Sequence, residues 1–465
     1  MADLPTTSIR MNHLPSPSAP PSRLLLLVGG IIVLLLAPLP FLGDLRAAFS
    51  AYLILSVAAT LLLGVGCWFG FRNGGGQLRA RHILLVAGLL RLAMLPMMPS
   101  LSDDPYRYLW DGRLLLHGQN PYHLTPAETT VRDDLFQLQG YPTTHTIYPP
   151  GAQLLFAGAV AVGKLFGGGW QWGYFVWKLM VIAAELLAIF LLLRLLQSQG
   201  LPVARGVLYA WHPLVVIELA GQAHTDAFWV LAIAVMLWGF ASGSGGKGLP
   251  AAVVGGAVRV FPFVALPLWW RFLPRRELLV ALAWSAGGLL LLAPFLDPVA
   301  AGNYLEVMLR FTNYYEFNGG FYYGAKWLLD AFQLQPSNQI AGGILLAIQL
   351  VAFLCIWFWP TADRSVRSLA WRMLLLLTFQ IVLPAKVHVW YFVAPLFLLP
   401  LTWDRGLRWG WWWLALVAPF TYVAYTGPSV LEPSWLLALE WSVFGMLAVA
   451  EYVWKEEAQP TMAGL

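Results

Sequence analysis

Apolar and polar positions alternate along this chain in blocks of about twenty residues, the length a helix needs to cross a bilayer. Apolar windows run near 23–43, 51–70, 82–98, 173–196, 202–220, 225–241, 249–271, 278–296, 340–359, 369–385, 388–403, 409–427 and 433–453. The pattern predicts an all-α fold, a polytopic transmembrane helical bundle of about 13 transmembrane helices. A further apolar stretch, 149–167, is flanked by Tyr148-Pro149-Pro150 and Gly167-Gly168-Gly169.

Basic residues decide how that stretch is read, because cytoplasmic loops collect Lys and Arg. Arg72, Arg79 and Arg81 stand without a nearby acid between the second and third helices, so that loop is expected in the cytoplasm. A full crossing by 149–167 would put Arg194, Arg205, Arg364, Arg367, Arg405 and Arg408 outside. A re-entrant or juxtamembrane helix after the first large outer loop returns all of them to the cytoplasm. Pro262 and Pro267 likewise break the 249–271 window and place Arg259 near the outer face. The expected cell-membrane topology has a cytoplasmic N-terminus and an extracytoplasmic active face. Segments 99–148, 221–226, 297–338 and 385–391 gather on that face.

Composition agrees with this class. Charged residues make up 11% of the 465, hydrophobic ones 59%, and the mean hydropathy is +0.66. A soluble chain carries about a quarter charged residues. The net charge of +5 is scattered singly between apolar runs, which argues for membrane orientation and against a nucleic-acid partner. Cys67 and Cys355 lie within apolar runs and read as buried hydrophobes. Residues 1–22 read as a disordered cytoplasmic tail and 456–465 as a second tail. Two N-terminal helices occupy 23–80 and a catalytic module 81–455. The first apolar run lacks a convincing cleavage site and is read as a retained helix.

The densest ionisable cluster is Ser102-Asp103-Asp104-Pro105-Tyr106-Arg107-Tyr108-Leu109-Trp110-Asp111-Gly112-Arg113. Acids beside a bilayer are costly and call for a function. Asp104 followed by Pro105 reads as an N-cap and first helical position, with Asp104, Arg107, Tyr108 and Asp111 on one face. The plain alternative is a capped helix with a surface ion pair to Arg107. His224 and Asp226 follow Gly221-Gln222, and Asp226 alternatively caps the next helix. Lys386, His388, Trp390 and Tyr391 emerge together at a helix end, where Lys386 could equally snorkel. Tyr314, Tyr315 and Asn318 lie in an aromatic, amide-rich stretch suited to a sugar or headgroup, or simply to an interfacial belt. No zinc-ligand spacing, phosphate loop or nucleophile elbow occurs.

The string Asp104-Pro105-Tyr106-Arg107-Tyr108, with Asp111-Gly112, Gly118-Gln119-Asn120-Pro121-Tyr122 and Tyr148-Pro149-Pro150, resembles the integral-membrane glycosyltransferases of the GT-C class. It is most similar to bacterial polyprenyl-phosphate-mannose-dependent mannosyltransferases, including the alpha-mannosyltransferases of actinobacterial envelopes, from about Arg81 onward. The resemblance implies a lipid-linked hexose donor, with mannose favoured, and a glycolipid or glycan acceptor. It also implies a carboxylate base at Asp104 or its neighbour Asp103. Arg259, Lys386, His388 and Tyr391 would then meet the donor phosphate and sugar. Arg107 and Arg113 would hold the base or touch phosphate, and Asp111, His224, Asp226, Tyr314, Tyr315 and Asn318 would contact substrate. No cofactor or metal is expected, and membrane lipids are the remaining partner. The alternative class is a transporter or flippase of a lipid-linked sugar or small solute, with Arg91, Glu185 and Glu218 as its charge pathway.

Overall fold

A computed structural model describes residues 23–72, 78–290, 292–295, 297–427 and 429–457. The expected tails, 1–22 and 456–465, lie outside them apart from the end of the last helix. The described residues form helices joined by 3₁₀ turns, with isolated bridges from Phe317 and Asn318 to Lys386 as the only β pairing among them. In order the helices are α1 (Arg23–Leu36), α2 (Phe49–Arg72), α3 (Ala80–Met94), α4 (Asp104–Leu116), α5 (Asp134–Leu138), α6 (Pro150–Gly163) and α7 (Trp170–Ser198). Next come α8 (Val207–Ala210), α9 (Pro213–Val215), α10 (Asp226–Ala241), α11 (Gly245–Val258), α12 (Trp269–Phe272), α13 (Arg275–Leu290) and α14 (Pro298–Tyr314). The chain closes with α15 (Gly320–Ala331), α16 (Ser337–Phe358), α17 (Val366–Val382), α18 (Val393–Thr402), α19 (Arg408–Val417) and α20 (Ser434–Glu457).

Every predicted apolar window contains helix, but the windows are not thirteen uniform spans. Among the described residues five helices are long and apolar enough to cross a membrane: Arg23–Phe41, Phe49–Phe71, Trp170–Ser198, Ser337–Phe358 and Ser434–Val453. A sixth forms if Val203–Ala210 and Pro213–Gly221, bent by 52°, count as one span. The others are shortened by local chemistry. Pro262 has no N–H to bond the Val258 carbonyl, so α11 ends at Val258 and Arg259 is extended (φ −148°, ψ 127°). A 3₁₀ turn, Phe261–Leu268, then leads into α12. The helix at 150–163 has 14 residues, about 21 Å at the usual rise and short of a hydrocarbon core of about 30 Å.

Close backbone approach sets how α4 sits. A Cβ on Gly112 would lie 2.5 Å from the Phe156 carbonyl carbon, so only glycine lets α4 lie against α6. Tyr108 stacks on Phe156 (4.6 Å between centroids) and meets Trp177 of α7 edge-on. Buried polar groups fix the remaining helices. Arg91 pairs with Glu185 between α3 and α7, the guanidinium Nε donating at 3.1 Å, and also bonds the Ala210 carbonyl. Lys178 donates to the Met94 carbonyl (2.9 Å) at the C-terminus of α3, where a cation suits the helix dipole.

The four polar segments expected to gather do meet. His224 approaches Asp104, Asn303 donates to the Tyr122 carbonyl (2.9 Å), Tyr141 packs edge-on against Tyr315 (5.7 Å), and Phe317 pairs with the chain beside Lys386.

Candidate active site

The site is built on the first turn of α4. The helix starts at Asp104 itself, with Pro105 behind it, and the expected Asp104 cap does not form. The Ser102 hydroxyl accepts the Asp104 N–H (3.2 Å) and the Asp103 carbonyl accepts that of Tyr106 (3.1 Å). With those orphan donors satisfied, the Asp104 carboxylate is released from backbone duty. Its Oδ2 accepts from the Tyr108 hydroxyl (3.4 Å) and lies 3.8 Å from His224 Nδ1. Its side chain keeps 27% of its surface open, so a ligand can reach it.

Burial, followed by the negative charge of Asp103, raises the Asp104 carboxyl to about 6. Arg259, a hydrogen bond from Tyr148 and Lys386 oppose that rise. Lys386 is displaced the other way: burial lowers it to about 7, against the pull of Asp104. Asp103 is also raised by burial and packs under Gly140, with Arg46 and Lys386 as opposing charges. The Asp104 carboxyl and the Lys386 ammonium are therefore both displaced toward neutrality, where enclosed functional groups often lie.

A cavity of about 800 Å³ opens at Tyr148, which bonds this carboxylate; Asp104 itself is not on the cavity wall. Arg259, Lys386 and Tyr391 stand on its wall with Tyr148, and α16 closes the far side. The Arg259 guanidinium lies over the Tyr391 ring (4.9 Å) and its Nε is 3.4 Å from Asp226 Oδ1. Asp226 is fully buried, accepts from Trp229 Nε1 (3.0 Å), and caps nothing. Lys386 Nζ sits 3.0 Å above the Phe311 ring and 5.0 Å from that of Tyr315. Trp390 is sandwiched between His224 (3.8 Å, 18°) and His388 (4.3 Å, 6°). Burial, followed by the charges of Lys386 and Arg259, pushes His388 well below its ordinary range.

A match to the family model described as "Alpha-(1->6)-mannopyranosyltransferase, N-terminal domain" covers residues 24–273. The chain belongs to this family. The match begins in α1, so the two N-terminal helices lie within the shared region, and it includes Asp104 and Arg259 but ends before Lys386. Alpha-(1->6)-mannopyranosyltransferase A of Mycobacterium tuberculosis is 27% identical over 355 residues, 69% of this chain. The aligned region spans 64% of that relative's length. No solved structure matches.

Several expected substrate contacts lie elsewhere. Arg107 is buried and donates from Nε to Asp111 Oδ1 (2.7 Å), and Gln153 of α6 approaches the other Asp111 oxygen. Asp111 thus links α4 to α6, Arg107 pairs with it inside α4, and neither lies on the cavity wall. Arg113 pairs with Asp133 and covers Trp110, lining a separate hollow of about 320 Å³. Asn318 is fully buried among residues of the C-terminal helix. The Tyr314 side chain lies outside the described residues, although its backbone ends α14. Among the described residues no group of three or more His, Cys, Asp or Glu comes together as metal ligands.

Three contributors were not in the expected substrate set. Tyr148 bonds Asp104 and lines the cavity; the Tyr-Pro-Pro string at the start of α6 marks its position. Trp390 holds both histidines. Glu218, expected only in a transport pathway, accepts from the Tyr422 hydroxyl (3.0 Å) and lies 3.4 Å from His224 Nε2. It stands behind the imidazole that faces Asp104.

Proposed function

We propose that this protein transfers a mannosyl residue from a polyprenyl-phosphate donor to an extracytoplasmic glycolipid or glycan acceptor, with Asp104 as general base. The observation that carries the reading is the cavity shared by the Arg259 guanidinium and the Lys386 ammonium, with the Asp104 carboxylate joined to its wall through Tyr148 and within the field of both cations. Family membership and the name of the tuberculosis relative support mannosyl transfer. The five long apolar helices support a membrane-embedded donor.

The donor's lipid lies in the apolar phase and its phosphate sits between Arg259 and Lys386. Asp104 takes the proton of an acceptor hydroxyl as that oxygen bonds to the anomeric carbon. The bond from that carbon to the phosphate oxygen breaks, and the leaving polyprenyl phosphate gains a negative charge. Fixed cations stabilise charge that develops in the transition state more than charge already present. Before the donor arrives Arg259 leans on Asp226, and the phosphate competes for it. His388 serves as a hydrogen-bond donor to phosphate or sugar. Asp103 tunes Asp104 and stands next in line as base.

The test uses purified protein in proteoliposomes with labelled mannose on polyprenyl phosphate, and nucleotide-linked mannose as control. Transfer from the lipid donor alone, lost on Asp104→Asn, is the expected result. Equal transfer by Asp104→Asn, or transfer from the nucleotide sugar without lipid, removes the proposal.

A further inference from the structure

Lys386 reaches the cavity from an irregular connection between α17 and α18, the kind of segment that does not hold a long side chain still on its own. Its backbone is nevertheless pinned on both sides. Phe317 N–H donates to the Ala385 carbonyl (2.9 Å), and Val387 N–H donates to the Phe317 carbonyl (2.7 Å). Gly319 lies so close that a Cβ there would be 2.6 Å from the Ala385 carbonyl oxygen.

The pinning strand is itself clamped by one side chain. Asn318 is fully buried, and its amide nitrogen donates to Glu440 Oε1 (3.3 Å). Its carbonyl oxygen accepts from Trp441 Nε1 (3.0 Å), while its backbone N–H donates to Glu432 Oε1 (2.6 Å). The residue sits at φ +51°, a left-handed conformation that asparagine and glycine accept more readily than other residues. Side chain, backbone and dihedral angle all agree at this position, although nothing there touches the cavity.

We infer that Asn318 is a positioning residue through which the C-terminal helix α20 holds the Lys386 ammonium at the place of the donor phosphate. The inference rests on the proposed role of Lys386. The clamp explains why an asparagine lies in an aromatic stretch without contacting substrate. It also assigns α20, which follows the region matched by the family model, a part in donor binding.

The test is a double-mutant cycle in the proteoliposome assay, read as KM for the lipid donor and as inhibition by free polyprenyl phosphate. Asn318→Gly keeps the left-handed backbone accessible and removes the clamp. Lys386→Ala raises the donor KM about tenfold, Asn318→Gly raises it by a comparable or smaller factor, and the double variant is no worse than Lys386→Ala alone. Weaker inhibition by polyprenyl phosphate accompanies each change, and any fall in kcat runs parallel to the rise in donor KM. Trp441→Phe keeps the packing, removes one clamp bond, and gives a smaller rise in the same direction; it serves if the glycine variant does not accumulate. Factors that multiply in the double variant, or a fall confined to kcat, overturn the clamp and leave the phosphate role of Lys386 standing. An unchanged donor KM in Lys386→Ala overturns both.

Discussion

Asp103 and Asp104 are adjacent carboxylates, and the geometry predicts opposite outcomes for them. The Asp104 carboxyl is held at about 6, with burial the larger cause and the Asp103 charge next. An acid raised in the empty enzyme is ionised above that value and protonated below it. The acid limb of the wild-type kcat/KM should therefore be nearly complete at pH 7 and drop about tenfold per pH unit well below 6. Asp103→Asn removes the neighbouring negative charge and should move the acid limb down by about one pH unit, leaving activity at pH 7 close to wild type. At pH 5 the variant, normalised to its own plateau, should outperform wild type by roughly fivefold. Asp104→Asn loses the base and should fall by about 10²–10⁴ on the plateau near neutrality, with the acid limb abolished. The assay is initial-rate transfer of labelled sugar from the lipid donor, pH 4.5 to 8, with membrane abundance matched. An inactive Asp103 variant beside an active Asp104 variant would refute the assignment. An acid limb unmoved by Asp103→Asn would refute the charge coupling.

Lys386, lowered to about 7, loses its proton as pH rises through that value, so the donor KM in wild type should climb above neutrality. Lys386→Arg should keep its charge and flatten that alkaline rise, as seen in donor titrations at pH 6 and 8.5. Arg259→Gln should raise the donor KM and lower kcat together, by about 10- to 100-fold in kcat/KM, because the guanidinium meets charge in both ground and transition states. Gly112→Ala drives a methyl into the Phe156 carbonyl and should cost about 1–3 kcal/mol, measured as a lower melting temperature in detergent.

The sequence was most legible where polar residues interrupt apolar runs. Such residues are costly in these places; Arg259, Lys386 and Tyr391 converge on one cavity and Asp104 stands behind its Tyr148 wall, with the 99–148, 221–226, 297–338 and 385–391 segments in contact. Function was harder to separate from architecture. Arg107 and Asp111 have the same composition signature as a substrate contact, yet pair with each other because α4 must seat its polar flank against Gln153 of α6. Asn318 looks like a sugar contact in one dimension, whereas the fold buries it against Glu440 and Trp441, partners more than a hundred residues away. Glu218 and Tyr422 meet across an even longer separation that no local pattern encodes. Span counting was limited by a different effect: prolines and 3₁₀ turns shorten helices within apolar windows that composition alone treats as continuous.

The most direct test of the shared cavity is a structure of the protein bound to polyprenyl phosphate in nanodiscs. The phosphate should lie within ion-pair distance of both Arg259 and Lys386, with the side that would carry the sugar turned toward Asp104. A phosphate seated away from both cations, or one with Asp104 on the far side of intervening helices, would contradict the account.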